Sequence, residues 1–298
     1  MSSNQTPKVL VIGGSGFLGS HISEALGKSG FQVFIHDKME APKLCVPYEF
    51  LLGDLSLKSL RRSISEMDYV FNVAAEADIA QCNENPINAV NANILGATNV
   101  FEACKNSTVK KVILASSLYV SGNMGGFYRA TKLAAEELLK CYYEQYGVQY
   151  TILRFGSLYG PRSQDWNGLR KYVSQIYLNG EITYRGNGDE RREYIHVEDA
   201  AKLAVQSLDE RYNGRQLVLS GSQLYTAKQI LDLIFEIVGR KPNIIFNETT
   251  TDNDHYKTTP YRFNADKPTK ISPTESVDFG QGIADLIAEV HEANNNTA

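Results

Sequence analysis

The feature that most restricts the fold of this chain is the run Gly13-Gly14-Ser15-Gly16-Phe17-Leu18-Gly19 together with its flanks. A β-branched segment, Lys8–Ile12, precedes it, and Phe17–Lys28 follows with Leu18, Ile22 and Leu26 at helical spacing. Glycines at a strand-to-helix junction let the backbone turn tightly, approach a pyrophosphate closely and pack the helix against the strand. The start of the helix adds unpaired N–H groups and a positive dipole end. Gly13, Gly16, Phe17, Leu18 and Gly19 are therefore candidate cofactor-binding residues. A merely glycine-rich turn would not require this strand before it and this helix after it.

The segments that follow keep the same rhythm. Gln32–His36, Tyr48–Leu52, Tyr69–Val73, Lys111–Ser116 and Thr151–Phe155 read as strands, while Ile87–Cys104 and Tyr128–Tyr146 read as long helices. Alternating strands and helices imply a parallel sheet covered by helices on both faces. The expected fold is α/β, a Rossmann-type doubly wound parallel sheet with a smaller C-terminal α/β substrate lobe. A length of 298 residues leaves room for about two domains. After residue 156 the helical patterns Leu169–Asn179, Val197–Leu208 and Thr226–Val238 are separated by short extended pieces, Glu181–Tyr184, Glu193–His196 and Arg215–Leu219. Residues 1–156 are expected to form the dinucleotide-binding domain and 157–298 mainly the substrate lobe, with some later segments returning to the first domain. Residues 247–276 are polar and without a period, Gln281–Ala293 reads as a last helix, and Asn294–Ala298 is expected to fray.

Composition removes several classes of function. The formal net charge is −4, with 21% charged and 43% hydrophobic residues, which fits neither a disordered tail nor a basic nucleic-acid binder. No apolar run approaches the roughly 18 residues of a membrane span. Met1 to Lys8 is polar and lacks the blocks of a signal peptide. Cys45, Cys82, Cys104 and Cys141 form no C-x-x-C pair, and no histidine lies at metal-ligand spacing from them. The expectation is free thiols in a reducing cytoplasm and no metal site.

Two further groups carry chemistry. Asp37 follows the second strand, 18 residues after Gly19, where a carboxylate can accept both adenine-ribose hydroxyls and repel a 2′-phosphate. That favours NAD, although Lys38 beside it is a cation that could serve the phosphate of NADP. Asp54, in Gly53-Asp54-Leu55, is placed either to reach the adenine or to cap the helix starting near Ser56. Tyr128 and Lys132 are four apart and share one helix face. A nearby ammonium favours tyrosinate, and the tyrosine can then exchange a proton with a substrate hydroxyl while hydride moves to or from the cofactor. Chance alone predicts about one Tyr-x-x-x-Lys pair in such a chain, so position carries the weight: this pair opens the helix after the fifth strand. Ser117 closes that strand, at the end where ligands bind in open α/β sheets, and its hydroxyl can share the substrate oxygen with Tyr128. Ser116 would point to the opposite face.

With these residues in place, the chain resembles the extended short-chain dehydrogenase/reductase family, which includes UDP-galactose 4-epimerase and other nucleotide-sugar epimerases, dehydratases and reductases. Val73-Ala74-Ala75 resembles the family's cofactor-lining strand end, and Asn93 to Asn99 its N-x-x-G-T-x-N helix. Leu153 to Arg162 resembles the L-R-x-x-N-x-Y-G-P segment, and Gly186 to Asp199 the G-x-G-x-x-x-R-D-x-I-x-V-x-D segment. The resemblance implies that Leu55, Ala74, Ala75 and Asn93 join the cofactor site. It implies a nucleotide sugar in the C-terminal lobe, with Arg192 on its diphosphate and Ser157, Asn167, Arg185 and Tyr119 among its contacts. A surface salt bridge with Glu193 or Asp199 is the plainer role for Arg192.

This sequence departs from the family pattern at several places. Asn72 stands where many relatives have histidine, Ser157 replaces a frequent asparagine, and Arg185 occupies a slot often filled by a base-stacking aromatic. Ser117 and Tyr128 are only 11 apart, about a dozen fewer than in many relatives, which implies a more open pocket or a larger sugar. Leu118-Tyr119 replaces the Asp-Glu pair with which dehydratases remove water, and a decarboxylase usually carries Glu at the Tyr119 position. The resemblance therefore implies a nucleotide-sugar 4-epimerase with tightly bound NAD. The alternatives are a 4-keto-sugar reductase using exchangeable NAD(P)H and a non-catalytic redox sensor. It also implies a homodimer formed through the helices around 87–104 and 128–146.

Overall fold

Strand β1 (Lys8–Ile12) sends Leu10 and Ile12 into one apolar cluster and Val9 and Val11 into another. A strand that is apolar on both faces needs cover on both, and the computed structural model, which describes residues 6–40, 42–247, 257–260 and 269–295, is built that way. Helix α1 (Phe17–Lys28) leads to β2 (Gln32–Asp37) and β3 (Glu49–Leu52), then α2 (Leu57–Ile64) to β4 (Tyr69–Asn72). Helices α3 (Ile79–Glu84), α4 (Pro86–Val90) and α5 (Gly96–Cys104) precede β5 (Lys111–Ser117), and α6 (Gly126–Tyr146) precedes β6 (Tyr150–Phe155). These six strands lie in the order β6-β5-β4-β1-β2-β3, and every pairing is parallel.

The remaining elements are β7 (Ser157–Tyr159), α7 (Gly168–Asn179), β8 (Ile182–Arg185), β9 (Arg191–His196), α8 (Val197–Gln206), β10 (Arg215–Leu219), β11 (Leu224–Thr226), α9 (Ala227–Val238), β12 (Ile244–Asn247), β13 (Thr269–Ile271) and α10 (Phe279–Asn295). Strands β10 and β13 extend the main sheet beyond β6 to eight parallel strands. One face of that sheet is covered by α2, α5 and α6 through Leu60, Phe101 and Leu139, and the other by α1 and α8 through Ile22, Leu26 and Leu203. A third cluster, with Val173, Ile176, Leu231, Ile234 and Leu286, joins α7, α9 and α10 into the C-terminal lobe. That lobe holds the three-stranded sheet β11-β9-β7 and the pair β12-β8. No helix among the described residues is long and apolar enough to cross a membrane. All four cysteines are free.

Several expectations are adjusted. The stretch Ile87–Cys104 is helical throughout, but a π turn at Asn91–Leu95 separates α4 from α5. Such widened turns often mark functional sites, and this one carries the buried Asn93. Asn294 and Asn295, expected to fray, are helical: they complete α10, with Asn294 Nδ2 donating to the Val290 carbonyl at 2.7 Å. Most of the polar stretch 247–276, Met1 to Gln5 of the N-terminus and residues 296–298 of the tail lie outside the described residues.

Candidate active site

The strand order reverses at β1, with β2 on one side and β4 on the other. An open α/β sheet leaves a crevice past its strand ends at such a switch point. A cleft of about 1200 Å³ opens there and runs on into the C-terminal lobe. This exceeds the usual range for one small ligand, so it has room for two ligands side by side.

The floor of the cleft is backbone. Gly13 has φ +84°, and a Cβ on it would lie 2.6 Å from Ala74 N; a Cβ on Gly19 would lie 2.1 Å from the Gly13 carbonyl oxygen. The ends of β1 and β4 and the first turn of α1 therefore meet without side chains between them. Gly16 is the N-cap of α1 and offers no side-chain cap, so the first N–H groups of the helix remain for an anionic ligand. That cradle fits a pyrophosphate. Asp37 is fixed at the rim: Ser15 N–H donates to its Oδ2 at 3.0 Å and Met39 N–H to its Oδ1 at 3.2 Å. Lys38 lines the cleft beside it. Asp54 also lines the cleft and serves the helix start, since Ser56 donates to its Oδ1 through N–H (3.1 Å) and Oγ (2.6 Å), while Ser56 Oγ caps α2 at Ser59 N.

Tyr128 and Lys132 project from α6 into the middle of this cleft, and Ser117 closes β5 against it. Ser117 Oγ accepts from Tyr119 N–H at 3.3 Å, which leaves its hydroxyl proton to donate. Leu118–Ser121 forms a 3₁₀ turn that sets the Tyr119 ring edge-to-face with Tyr128, centroids 6.1 Å apart. Lys132 is buried, and burial pushes its ammonium down to about 8, against the opposing pull of Glu136 and Cys82. Behind it, Glu136 accepts from both Arg154 Nε (3.0 Å) and NH2 (2.6 Å) and from Ser116 Oγ (2.5 Å). Ser116 thus points away from Ser117, as strand alternation requires. An acid–base tyrosine, a buried ammonium and a donor hydroxyl around one cavity can move a proton on and off a substrate hydroxyl.

Of the cofactor residues expected from sequence, Gly13, Gly16, Phe17, Leu18, Gly19, Asp37, Lys38, Asp54, Leu55, Ala74, Ala75, Tyr128 and Lys132 all line the cleft; Asn93 is not among the lining residues. Its Oδ1 accepts from Glu76 N–H at 2.8 Å, and its Nδ2 donates to the Glu76 carbonyl (2.9 Å) and Thr131 Oγ1 (3.0 Å). It is placed to brace the loop after β4 against α6. Tyr119, Ser157, Asn167, Arg185 and Arg192 line the substrate side. The Asn167 side chain is committed to capping α7, accepting from Leu169 N–H and Arg170 N–H and donating to the Leu158 carbonyl. Glu193 engages Ser220 and Lys270, and Asp199 engages Lys202 and Val277 N–H. Glu76, Asp78, Gln164, Trp166 and Lys171 line the cleft as well and were not singled out from sequence. The only signal for the first two was their place just beyond a strand end.

Residues 9–219 match the sequence model of the NAD dependent epimerase/dehydratase family. UDP-glucuronate 4-epimerase 1 of Arabidopsis thaliana is 32% identical over 234 residues, spanning 67% of this chain and 54% of its own. UDP-glucuronate 4-epimerase of Thermodesulfobacterium geofontis is 27% identical over 264 residues, 78% of this chain and 81% of its own. Among solved structures, the UDP-N-acetylglucosamine 4-epimerase from Methanobrevibacter ruminantium M1 superposes with a TM-score of 0.84 at 24% identity, covering 97% of this chain and 99% of that one.

Proposed function

The chain belongs to the NAD dependent epimerase/dehydratase family, and from that premise we propose that it is a nucleotide-sugar 4-epimerase with NAD as its resident cofactor. The observation that carries this reading is the single cleft that runs from the glycine cradle, past Tyr128 and Lys132, to Arg192 in the C-terminal lobe. It fits a dinucleotide at one end and a second phosphorylated ligand at the other, with the proton-transfer groups between. Leu118 and Tyr119 supply no carboxylate where a dehydratase or decarboxylase needs one, since neither side chain does carboxylate work at neutral pH.

When bound, NAD supplies the acceptor and donor of hydride at C4. Tyr128 takes the C4 hydroxyl proton and later returns it, the Lys132 ammonium favours the tyrosinate that does so, and Ser117 orients the oxygen. Asp37 selects the unphosphorylated ribose. Arg192 holds the diphosphate, and Arg185 stacks on the base.

The test is proton NMR of the protein with UDP-, GDP-, CDP- and dTDP-sugars, catalytic NAD and no reductant. A new isomer at equilibrium is expected, with its rate falling about 10²–10⁴-fold in Tyr128→Phe. Turnover only of 4-keto sugars, with stoichiometric NADH or NADPH consumed, would replace this reading with a reductase. We also infer a homodimer: Ile87 (71% exposed), Leu95 (53%) and Phe127 (46%) present large apolar surface on the helices of 86–104 and 126–146. A monomer in light scattering at micromolar concentration would overturn that inference.

A further inference from the structure

Charge is unevenly distributed along the cleft. Lys38 stands at the Asp37 end, and Lys171, Arg185, Arg192 and Lys257 line the wall built by the C-terminal lobe. Around Tyr128 the one cation among the described lining residues is Lys132, whereas two carboxylates, Glu76 and Asp78, line the cleft there.

Their position is firmly set. Asn93 grips both backbone groups of Glu76 and also Thr131, whose Oγ1 donates to the Tyr128 carbonyl at 3.0 Å. Asp78 caps α3 at Ala80 N, and from α3 Asn83 accepts from Phe127 N–H at the start of α6. Glu76 Oε1 accepts from Asp78 N–H at 3.3 Å, so the two acidic residues stand together beside the first turn of the catalytic helix. Neither forms an ion pair with a described residue. On a separate segment of the same cleft, Gln164 Oε1 is buried with no hydrogen-bond partner among the described residues. That oxygen can accept from a ligand hydroxyl.

We propose that the sugar held beside Tyr128 is an uncharged hexose, and that Glu76 and Asp78 are specificity-determining residues that exclude a hexuronate. A sugar carboxylate entering here would meet two like charges in a partly desolvated cleft, against the single buried ammonium of Lys132 among the described lining residues there. This separates the chain from relatives named for UDP-glucuronate. It rests on the epimerase reading and narrows it.

The experiment compares UDP-glucose with UDP-glucuronate on the NAD-loaded protein. Affinity is measured by calorimetry in Tyr128→Phe, whose turnover is slowed about 10²–10⁴-fold, and isomerisation by NMR in the unmodified protein. UDP-glucose is expected to bind at least about tenfold tighter. Adding Glu76→Gln and Asp78→Asn should narrow that gap several-fold, and Asn keeps the cap of α3. Equal or tighter binding of UDP-glucuronate, or a gap unmoved by the double substitution, overturns the proposal; if either sugar is still isomerised, the epimerase reading stands. A tenfold preference without isomerisation of either sugar supports the charge selection and overturns the epimerase reading. Binding of neither overturns both.

Discussion

At the cofactor end of the cleft the wall is backbone, and at the far end it is side chain. Gly13 and Gly19 bring β1, β4 and α1 together at distances that leave no space for a Cβ. Arg185, Arg192, Lys171 and Tyr172, by contrast, reach the cleft from short strands and the first turns of α7. A backbone cradle binds what a pyrophosphate offers and cannot be altered without disturbing the fold around it. A side-chain wall can be exchanged residue by residue while the lobe behind it stays packed. The first end therefore says what the family must hold, and the second says which substrate this chain holds. A likeness of fold speaks to the first end only.

The comparison can be broken or sharpened by substitution. Lys132 sits between the two ends and shows the largest effect. Its ammonium, pushed down by burial to about 8, is the form that favours tyrosinate, so kcat/KM should fall as pH rises through about 8. Lys132→Met should lower kcat about 10²–10⁴-fold and abolish that limb. Stability carries the opposite sign. The unfolded lysine keeps its proton up to its ordinary 10.5, so between about 8 and 10.5 the unfolded state binds more protons and stability rises with pH. Lys132→Met should flatten that rise and raise Tm at neutral pH. A drop in Tm would mean that the ammonium supports the fold. Next, Gly19→Ala should cost about 1–3 kcal/mol of stability through overpacking, read from urea midpoints, and should weaken NAD binding with it. Arg192→Met, at the side-chain end, should leave urea midpoints within about 0.5 kcal/mol. Its cost should appear as a ten- to hundredfold rise, roughly, in KM for the sugar nucleotide, the value of a hydrogen bond to a charged group. If Arg192→Met unfolded the chain, the two ends would not differ in the way described.

The same difference decides what could be read from sequence. β1 and α1 fall at Lys8–Ile12 and Phe17–Lys28, as their apolar spacing predicts, because a strand buried on both faces and a helix locked to it by glycine leave little freedom. The strands β7, β11, β12 and β13 carry three or four residues each and lie against partners distant in sequence, so no local period marks them. The π turn at Asn91–Leu95 has no signature of its own, since its residues continue a helical pattern. In the site, residues that motifs name were legible. Glu76, Asp78 and Gln164 were not, because only the packing of the loops after β4 and β7 brings them to the cleft. Asn93 is the instructive case: the motif places it beside the cofactor, and the structure has its side chain bracing the Glu76 backbone and Thr131.

The effect most spread over pH belongs to the seam that joins the two regions. Arg162, in the turn after β7, sets its guanidinium on Glu24 of α1 (2.9 Å) and on His21 Nδ1 (2.7 Å), while its N–H donates to Glu289 of α10 (2.9 Å). His21 Nε2 lies 3.0 Å from the Pro161 carbonyl, which can only accept. Nε2 therefore carries a hydrogen, while Arg162, which can only donate, sets NH2 2.7 Å from Nδ1 and Nε 3.2 Å from Nε2, a cation against the ring that disfavours a second proton. Burial, with the Arg162 charge, pushes His21 from 6.5 down to about 4. The folded value lies below the unfolded one, so this contribution is fully present above 6.5 and is lost as pH falls toward 4. A second proton on Nδ1 would break the Arg162 contact and set two cations together. Urea midpoints between pH 7 and 4.5 should therefore decline by at most about 1.4 kcal/mol per pH unit from this group, and His21→Gln should remove that share of the decline. Equal declines in both proteins would show that acid opens the molecule elsewhere than at the joint between the backbone-walled and side-chain-walled ends of the cleft.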